Sequence, residues 1–390
     1  MLKKILLIAG SIIIILLIAA LLLGPGMIDR SMNTVTLPPP YTVSPRAQQL
    51  YDSLEFIADL HSDALLWKRN LLERHDYGSE DIPRMLQARL ALQAFTIVTK
   101  TPRGINFDKN TDETDQIRLL YMLQARPIGS WFSLTERALV QCRALFEFAR
   151  ESNGAFRVIR SQKDLRAYLR ERESNKNITA GFLGIEGMHA LDGELENVDV
   201  LYNAGVRMMA PVHFFDNKVG CSAHGVSHGG LTDFGAQVIR RMQEKNMIVD
   251  IAHSSEKLID DILRITTKPV ITSHTGVKGT CDNVRNLSDK HLKGIAATGG
   301  LIGIAFFKQA VCGTTAKSTA EAIRYTADLV GIEHVALGSD FDGAIQAHFD
   351  VTGLPLLVEE LLNLGMSPQD IALVMGENVK RFMLDNLPEE

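Results

Sequence analysis

Six residues, His61, Asp63, Glu186, His253, His274 and Asp340, stand at or just past the ends of short apolar runs. The runs are Ile57 to Leu60, Ala180 to Ile185, Met247 to Ala252, Val270 to Ser273 and Val335 to Ser339. Side chains at i and i+2 of an extended chain share a face, so His61 and Asp63 aim an imidazole and a carboxylate at one point. A single histidine after an apolar run is ordinarily a hydrogen-bonded core residue. Three of them, with three carboxylates, all at the same end of their runs, read as a set of metal ligands. Nitrogen and oxygen donors without cysteine suit zinc or a similar divalent ion. Five or six such ligands are too many for one tetrahedral ion with an open position. They suit two ions about 3.5 Å apart, sharing a bridging carboxylate.

Bringing these groups together requires strands that all point the same way. Besides the five runs above, about 55–61 at the first of them, there are apolar runs at Leu90–Val98, Val206–Val212 and Leu301–Phe306. That makes eight candidate strands. Helical periodicity fills most gaps between them, at about 113–151, 161–172, 193–204, 232–245, 255–265, 289–297 and 317–331. Strands alternating with helices predict a parallel sheet, and eight of them predict an α/β fold of the (β/α)8 TIM-barrel type. In such a barrel the strands' C-terminal ends carry the chemistry, and the six residues stand there. Further helices over Pro355–Leu364, from Ser367-Pro368 through Met375, and over Val379–Leu384 are expected to cover the outside.

The chain has 390 residues and a net charge of −5, with both signs scattered. No basic run argues for a nucleic-acid partner. Lys3-Lys4 precede a long uncharged and mostly apolar stretch, Ile5–Leu23, in which Ser11 is the one polar residue. As a helix it would be about 28 Å long, close to the thickness of a bilayer's hydrocarbon core. Residues 1–24 therefore read as an uncleaved transmembrane signal-anchor, with the lysines on the cytoplasmic side. The expected protein is single-pass, with the lipid bilayer around residues 5–23 and the catalytic domain in a periplasmic or extracellular space. Residues 25–45, with Gly24-Pro25-Gly26 and Pro38-Pro39-Pro40 at either end, read as a tether. The hydrolase barrel would occupy 46–390. Cys142, Cys221, Cys281 and Cys312 are widely spaced, and their pairing is not readable.

At the level of motifs the chain resembles the renal (membrane) dipeptidases, a branch of the amidohydrolase superfamily. The resemblance rests on His61-x-Asp63, Gly184-Ile185-Glu186-Gly187-Met188-His189, Val249-Asp250-Ile251-Ala252-His253-Ser254, Thr272-Ser273-His274-Thr275 and Gly338-Ser339-Asp340-Phe341-Asp342-Gly343, in that order. Gly376-Glu377-Asn378-Val379-Lys380-Arg381-Phe382 is similar to the family's closing motif. The resemblance implies two zinc ions per chain, bridged by Glu186 and a hydroxide. One would be held by His61, Asp63 and Glu186, the other by Glu186, His253 and His274. It implies a dipeptide substrate, attacked at its carbonyl by that hydroxide. Asp340 would shuttle the proton to the leaving amine, His213 would stabilise the oxyanion, and Arg285 would bind the substrate's carboxylate. A homodimer is a possible assembly. Asp250, Asp342 and His189 are expected to support the site without touching substrate. The segments Lys100–Thr114 and Asp216–Gly230 are expected to rim it. Two other readings compete: a lactam, lactone or N-acyl-amino-acid hydrolase on the same scaffold, and a non-catalytic binding barrel displayed on a membrane.

Overall fold

Eight parallel strands close into a barrel in the computed structural model, which describes residues 2–390. The side chains of residues 2, 13 and 15–17 lie outside the description. The strands are β1 (Ile57–Ser62), β2 (Leu90–Val98), β3 (Thr179–Glu186), β4 (Val206–Ala210), β5 (Ile248–Asp250), β6 (Val270–Thr275), β7 (Ile302–Ile304) and β8 (Val335–Leu337). Neighbours in sequence are neighbours in the sheet, and β8 pairs with β1 to close it. All eight expected strands are present. A short strand, Phe156–Val158, also pairs with β3 outside the ring. It is three residues long and sits between two helices, so it carries no periodicity to read.

Every residue of β1, β2 and β3 is buried. Strands covered on both faces read as continuous apolar runs, which is why these were legible. Ala58, Leu60, Leu92, Phe182, Met208 and Ile271 pack in one cluster with Val379, Phe382 and Met383 of the last helix, Asn378–Asn386. A larger cluster joins the strands to the surrounding helices. Most helix starts follow from local chemistry. Ser133, Ser161, Thr232, Ser255 and Ser367 each accept a hydrogen bond from a backbone N–H in the first turn that would otherwise lack a partner. The single helical tract expected over 113–151 is two helices, Gln116–Leu123 and Leu134–Glu151. Pro127 lies in the break between them, and Ser133 caps the second.

The N-terminal region differs from expectation. Ile5–Leu23 lies within a helix that runs from Leu2 to Met32. Among the described residues no helix is long and apolar enough to cross a membrane. The segment 25–45 is packed on the body rather than hanging from it. Residues 25–32 continue the helix, and Thr34–Val35 pair in parallel with Gln346–Ala347. The reason is tertiary. Arg30 binds the Asp76 carboxylate at 2.6 Å, and Asn33 Oδ1 accepts the Ala344 N–H at 2.9 Å. Glycine and proline marked the place as irregular, but these partners hold it.

Candidate metal centre and active site

The C-terminal ends of the strands converge on the Glu186 carboxylate, which is the last residue of β3. Its Oε1 lies 2.9 Å from His253 Nε2 and 3.4 Å from His274 Nε2. Its Oε2 lies 3.4 Å from His213 Nε2 and 3.7 Å from His61 Nε2. His61 Nε2 in turn is 3.6 Å from Asp63 Oδ1 and 3.9 Å from Asp340 Oδ1. The two carboxylate oxygens therefore face different pairs of imidazoles. Three triplets have donor atoms within 4.8 Å of one another: His61, Glu186 and His274; Glu186, His213 and His253; His61, Asp63 and Asp340. Seven of the eight residues singled out from sequence thus fall in one buried cluster. The eighth, Arg285, lines the same cavity of about 350 Å³.

Local backbone geometry aims these side chains. His253 and Asp340 sit at φ 60° and 64°, in the left-handed region. That conformation costs a residue with a Cβ about 1–2 kcal/mol, and such strain gathers at functional sites. Gly187, directly after Glu186, has φ 95°, which turns the chain away at the strand end. At Gly338 a Cβ would lie 1.9 Å from the Ser273 carbonyl oxygen, so glycine is what lets β8 approach the strand carrying His274.

A layer of polar groups orients the cluster. Ser273 Oγ lies 2.8 Å from His61 Nδ1 and 3.1 Å from His274 Nδ1, so one hydroxyl fixes two imidazoles. Thr96 Oγ1 donates to Asp63 Oδ1 at 2.6 Å. Asp59 accepts from the backbone N–H groups of His61 and Ser339, tying β1 to the loop that carries Asp340. Asp250 accepts from the N–H groups of Ala252 and Ser273, a supporting role as expected. Asp342 does likewise, accepting the Ser79 N–H and pairing with Arg69. His189 is buried beside Phe215, with neither ring nitrogen hydrogen-bonded. Such supporting groups set ligand orientation and basicity in metal sites. Sequence reading missed Ser273, Thr96 and Asp59. Asp59 carried a usable signal, since it lies two residues before His61 on the same face of the strand.

The charge states suit a cation. Burial holds His253 and His213 down to about 3, so both imidazoles are neutral and offer lone pairs. Burial also presses His274 well below the usual range, and His61 adds to this. Burial would raise Glu186, but the imidazoles packed around it, through charge and hydrogen bonds, outweigh it and hold the carboxylate well below its ordinary value. Burial and then Glu186 push Asp63 well up, and burial takes Asp340 to about 7. The donors present fit a bound metal on direct observation. His61 Nε2 and Glu186 Oε1 are buried without a hydrogen-bond partner, and Nε2 of His253 faces Nε2 of His274 at 3.1 Å. Two neutral imidazoles in that pose share at most one proton.

Burial lowers His61, yet the carboxylates of Glu186, Asp63 and Asp340 more than offset that and raise it to about 10. In the metal-free protein His61 therefore holds a proton at pH 7, which a cation must displace. Metal affinity is expected to rise with pH up to about 10, because the proton competes below that value. Calorimetric titration in buffers of different ionisation enthalpy is expected to show release of about one proton or more per chain at pH 7. Release of none would contradict this arrangement.

Arg285 is buried. Its Nη2 donates to the His274 carbonyl at 3.2 Å, and its Nη1 has no partner. Of the two expected rim segments, Lys100–Thr114 supplies lining residues, and Asp216–Gly230 supplies none but packs against it. Ile105 and Phe107 line the cavity, and His224 Nδ1 lies 2.8 Å from the Phe107 carbonyl, joining the two segments. A disulfide, Cys281–Cys312, ties the loop that carries Arg285 to the segment after β7.

Known proteins give this geometry a family. The chain is 28% identical over 315 residues to "Dipeptidase tcpJ" of Claviceps purpurea, covering 78% of this chain and 69% of that protein. Its fold matches a dipeptidase AC metallopeptidase with a TM-score of 0.71 at 22% identity, over 86% of this chain and 99% of that one. It also matches a metallopeptidase of Rhodobacter sphaeroides, solved with a phosphinate mimic of the dipeptide L-Ala-D-Ala. There the TM-score is 0.68 at 22% identity, over 85% of this chain and 99% of that one. The model of the membrane dipeptidases matches residues 45–386, so the chain belongs to that family, peptidase family M19, whose members are metal-dependent hydrolases of peptide bonds.

Proposed function

We propose that the protein is a membrane-anchored dipeptidase using two zinc ions, with its catalytic body outside the cytoplasm. The observation that carries the site reading is the Glu186 carboxylate, whose two oxygens face separate imidazole pairs. His61, Asp63 and Glu186 would hold one ion, and Glu186, His253 and His274 the other. When bound, the metal pair supplies Lewis acidity toward the scissile carbonyl and a water acidified to react near neutral pH.

The chain's own residues do the rest. Arg285 offers its unpaired Nη1 to the substrate's carboxylate, a planar match for a guanidinium. His213, neutral and next to Glu186, is placed to donate a hydrogen bond to oxygen as charge develops on it. Asp340 lines the cavity with a carboxyl near neutrality, suited to take a proton and pass it to the leaving amine. The buried walls keep bulk water away from these groups.

Anchoring is supported by the apolar surface of the first helix, where Leu6, Leu7, Ile8, Leu22 and Leu23 are each more than 60% exposed. Apolar side chains left in water at that density need a covering, and a bilayer is the covering that the neighbouring Lys3-Lys4 suit. The disulfide fits an oxidising compartment.

Replacing Arg285 with alanine is expected to lower kcat/KM for dipeptides by roughly 10²-fold, since breaking a buried charge pair costs about 2–5 kcal/mol. Dipeptide amides, which lack the carboxylate, should be cleaved about equally by both proteins. Unchanged efficiency on free dipeptides would favour a substrate without a carboxylate.

A further inference from the structure

The first helix does not end clear of the active site. Two residues in its last turns, Ile28 and Met32, line the same cavity as Asp63, Glu186, Asp340 and Arg285. Leu119, Leu120 and Leu123 of the helix Gln116–Leu123 line it as well, and so does Ile345. Together they form an apolar wall. Polar joints on the far side hold it in place. Arg30 pairs with Asp76. Arg69 lies between Asp29, at 3.6 Å, and Asp342. The pairing of Thr34–Val35 with Gln346–Ala347 pins the next residues.

The Leu119–Leu123 part of this wall and Arg285 stand on opposite sides of the mouth. The helix Gln116–Leu123 follows β2, whereas Arg285 follows β6, and three strands separate β2 from β6 either way round the closed sheet. The metal-ligand cluster lies between them. A dipeptide with its carboxylate at Arg285 and its scissile carbonyl at the cluster therefore directs its first residue at the apolar wall. The charged residues lining the cavity are Asp63, Glu186, Asp340 and Arg285, and none belongs to this wall. A charged first side chain would be desolvated there without a partner, whereas an apolar one would lose only water.

We infer that Ile28, Met32 and the Leu119–Leu123 face determine specificity, and that the enzyme prefers dipeptides with a bulky apolar first residue. The inference rests on the dipeptidase reading of the site and on Arg285 as its carboxylate-binding group. It also assigns a second task to the first helix: the element proposed to carry the anchor supplies part of the substrate pocket.

The test is a set of dipeptides with a constant second residue, given to the metal-loaded full-length protein. Leu-Ala and Phe-Ala are expected to exceed Gly-Ala and Lys-Ala in kcat/KM by about tenfold or more, the scale on which a hydrophobic pocket discriminates. Ile28→Ala and Met32→Ala are each expected to reduce the Phe-Ala to Gly-Ala ratio severalfold. Met32→Gln, which keeps the bulk and adds polarity, should reduce it too. Ile28 and Met32 are 36% and 43% exposed, so truncating them opens no core, and melting temperatures are expected to stay close to that of the parent. A flat preference, or one that all three variants leave unchanged, would overturn the inference while the dipeptidase reading stands. Failure to cleave any dipeptide would overturn that reading and the inference with it.

Discussion

Replacing Glu186 with alanine is expected to strip the protein of bound metal and to reduce dipeptide turnover by at least about 10³-fold, the scale on which one lost electrostatic group already acts. The expectation follows from where the carboxylate sits. Its two oxygens are the only groups in the cluster placed toward both His253 with His274 and His61 with His213. Without it, His61 and Asp63 on one side, and His253 and His274 on the other, each lose a shared anionic ligand. With it gone, Asp63 is the one carboxylate left among the proposed ligands, too little charge to balance two dications in a buried site. Elemental analysis after gel filtration checks metal content, and a dipeptide assay checks turnover. Glu186→Gln keeps the shape and removes the charge, so it separates loss of a ligand from loss of packing. Full metal content and turnover in both variants would remove Glu186 from the centre of the site.

Asp340→Asn has a different expected signature. Metal content should persist, because His61, Asp63, Glu186, His253 and His274 remain. Turnover should fall by about 10²–10⁴-fold, the usual contribution of a positioned acid–base group. The pH profile sharpens the test. Burial takes the metal-free carboxyl to about 7, and adjacent cations favour its ionised form and so lower it. Activity in the parent should therefore rise with pH along an acid limb lying below 7, as Asp340 gains its charge. In Asp340→Asn that limb should disappear from the residual activity. An asparagine variant with parental kcat and an unchanged acid limb would place the proton shuttle elsewhere.

Much of this architecture is readable before any coordinates. The strands are visible because a parallel barrel buries both faces of each strand, which leaves uninterrupted apolar runs such as Leu90–Val98. The candidate ligands are visible because they interrupt that apolarity at one end. What escaped the reading depends on contacts between distant segments. Ser273 is an ordinary serine until the fold sets His61 beside His274. Thr96 becomes informative only once β2 lies next to Asp63. The docking of residues 25–35 depends on Asp76, Arg69 and Ala344, none of them near in sequence, so a stretch rich in glycine and proline read as a tether. Ile28 and Met32 entered the site by that same route. The disulfide partners likewise became identifiable only when the fold brought Cys281 to Cys312.

The proposed two-metal dipeptidase centre is tested most directly by a zinc titration of the chelator-stripped protein, reading bound metal and hydrolysis of a dipeptide on the same samples. The expected result is no turnover without metal, then a rise that levels off at about two ions per chain. Full turnover in the presence of chelator, or two bound ions with no dipeptide cleaved, would contradict it.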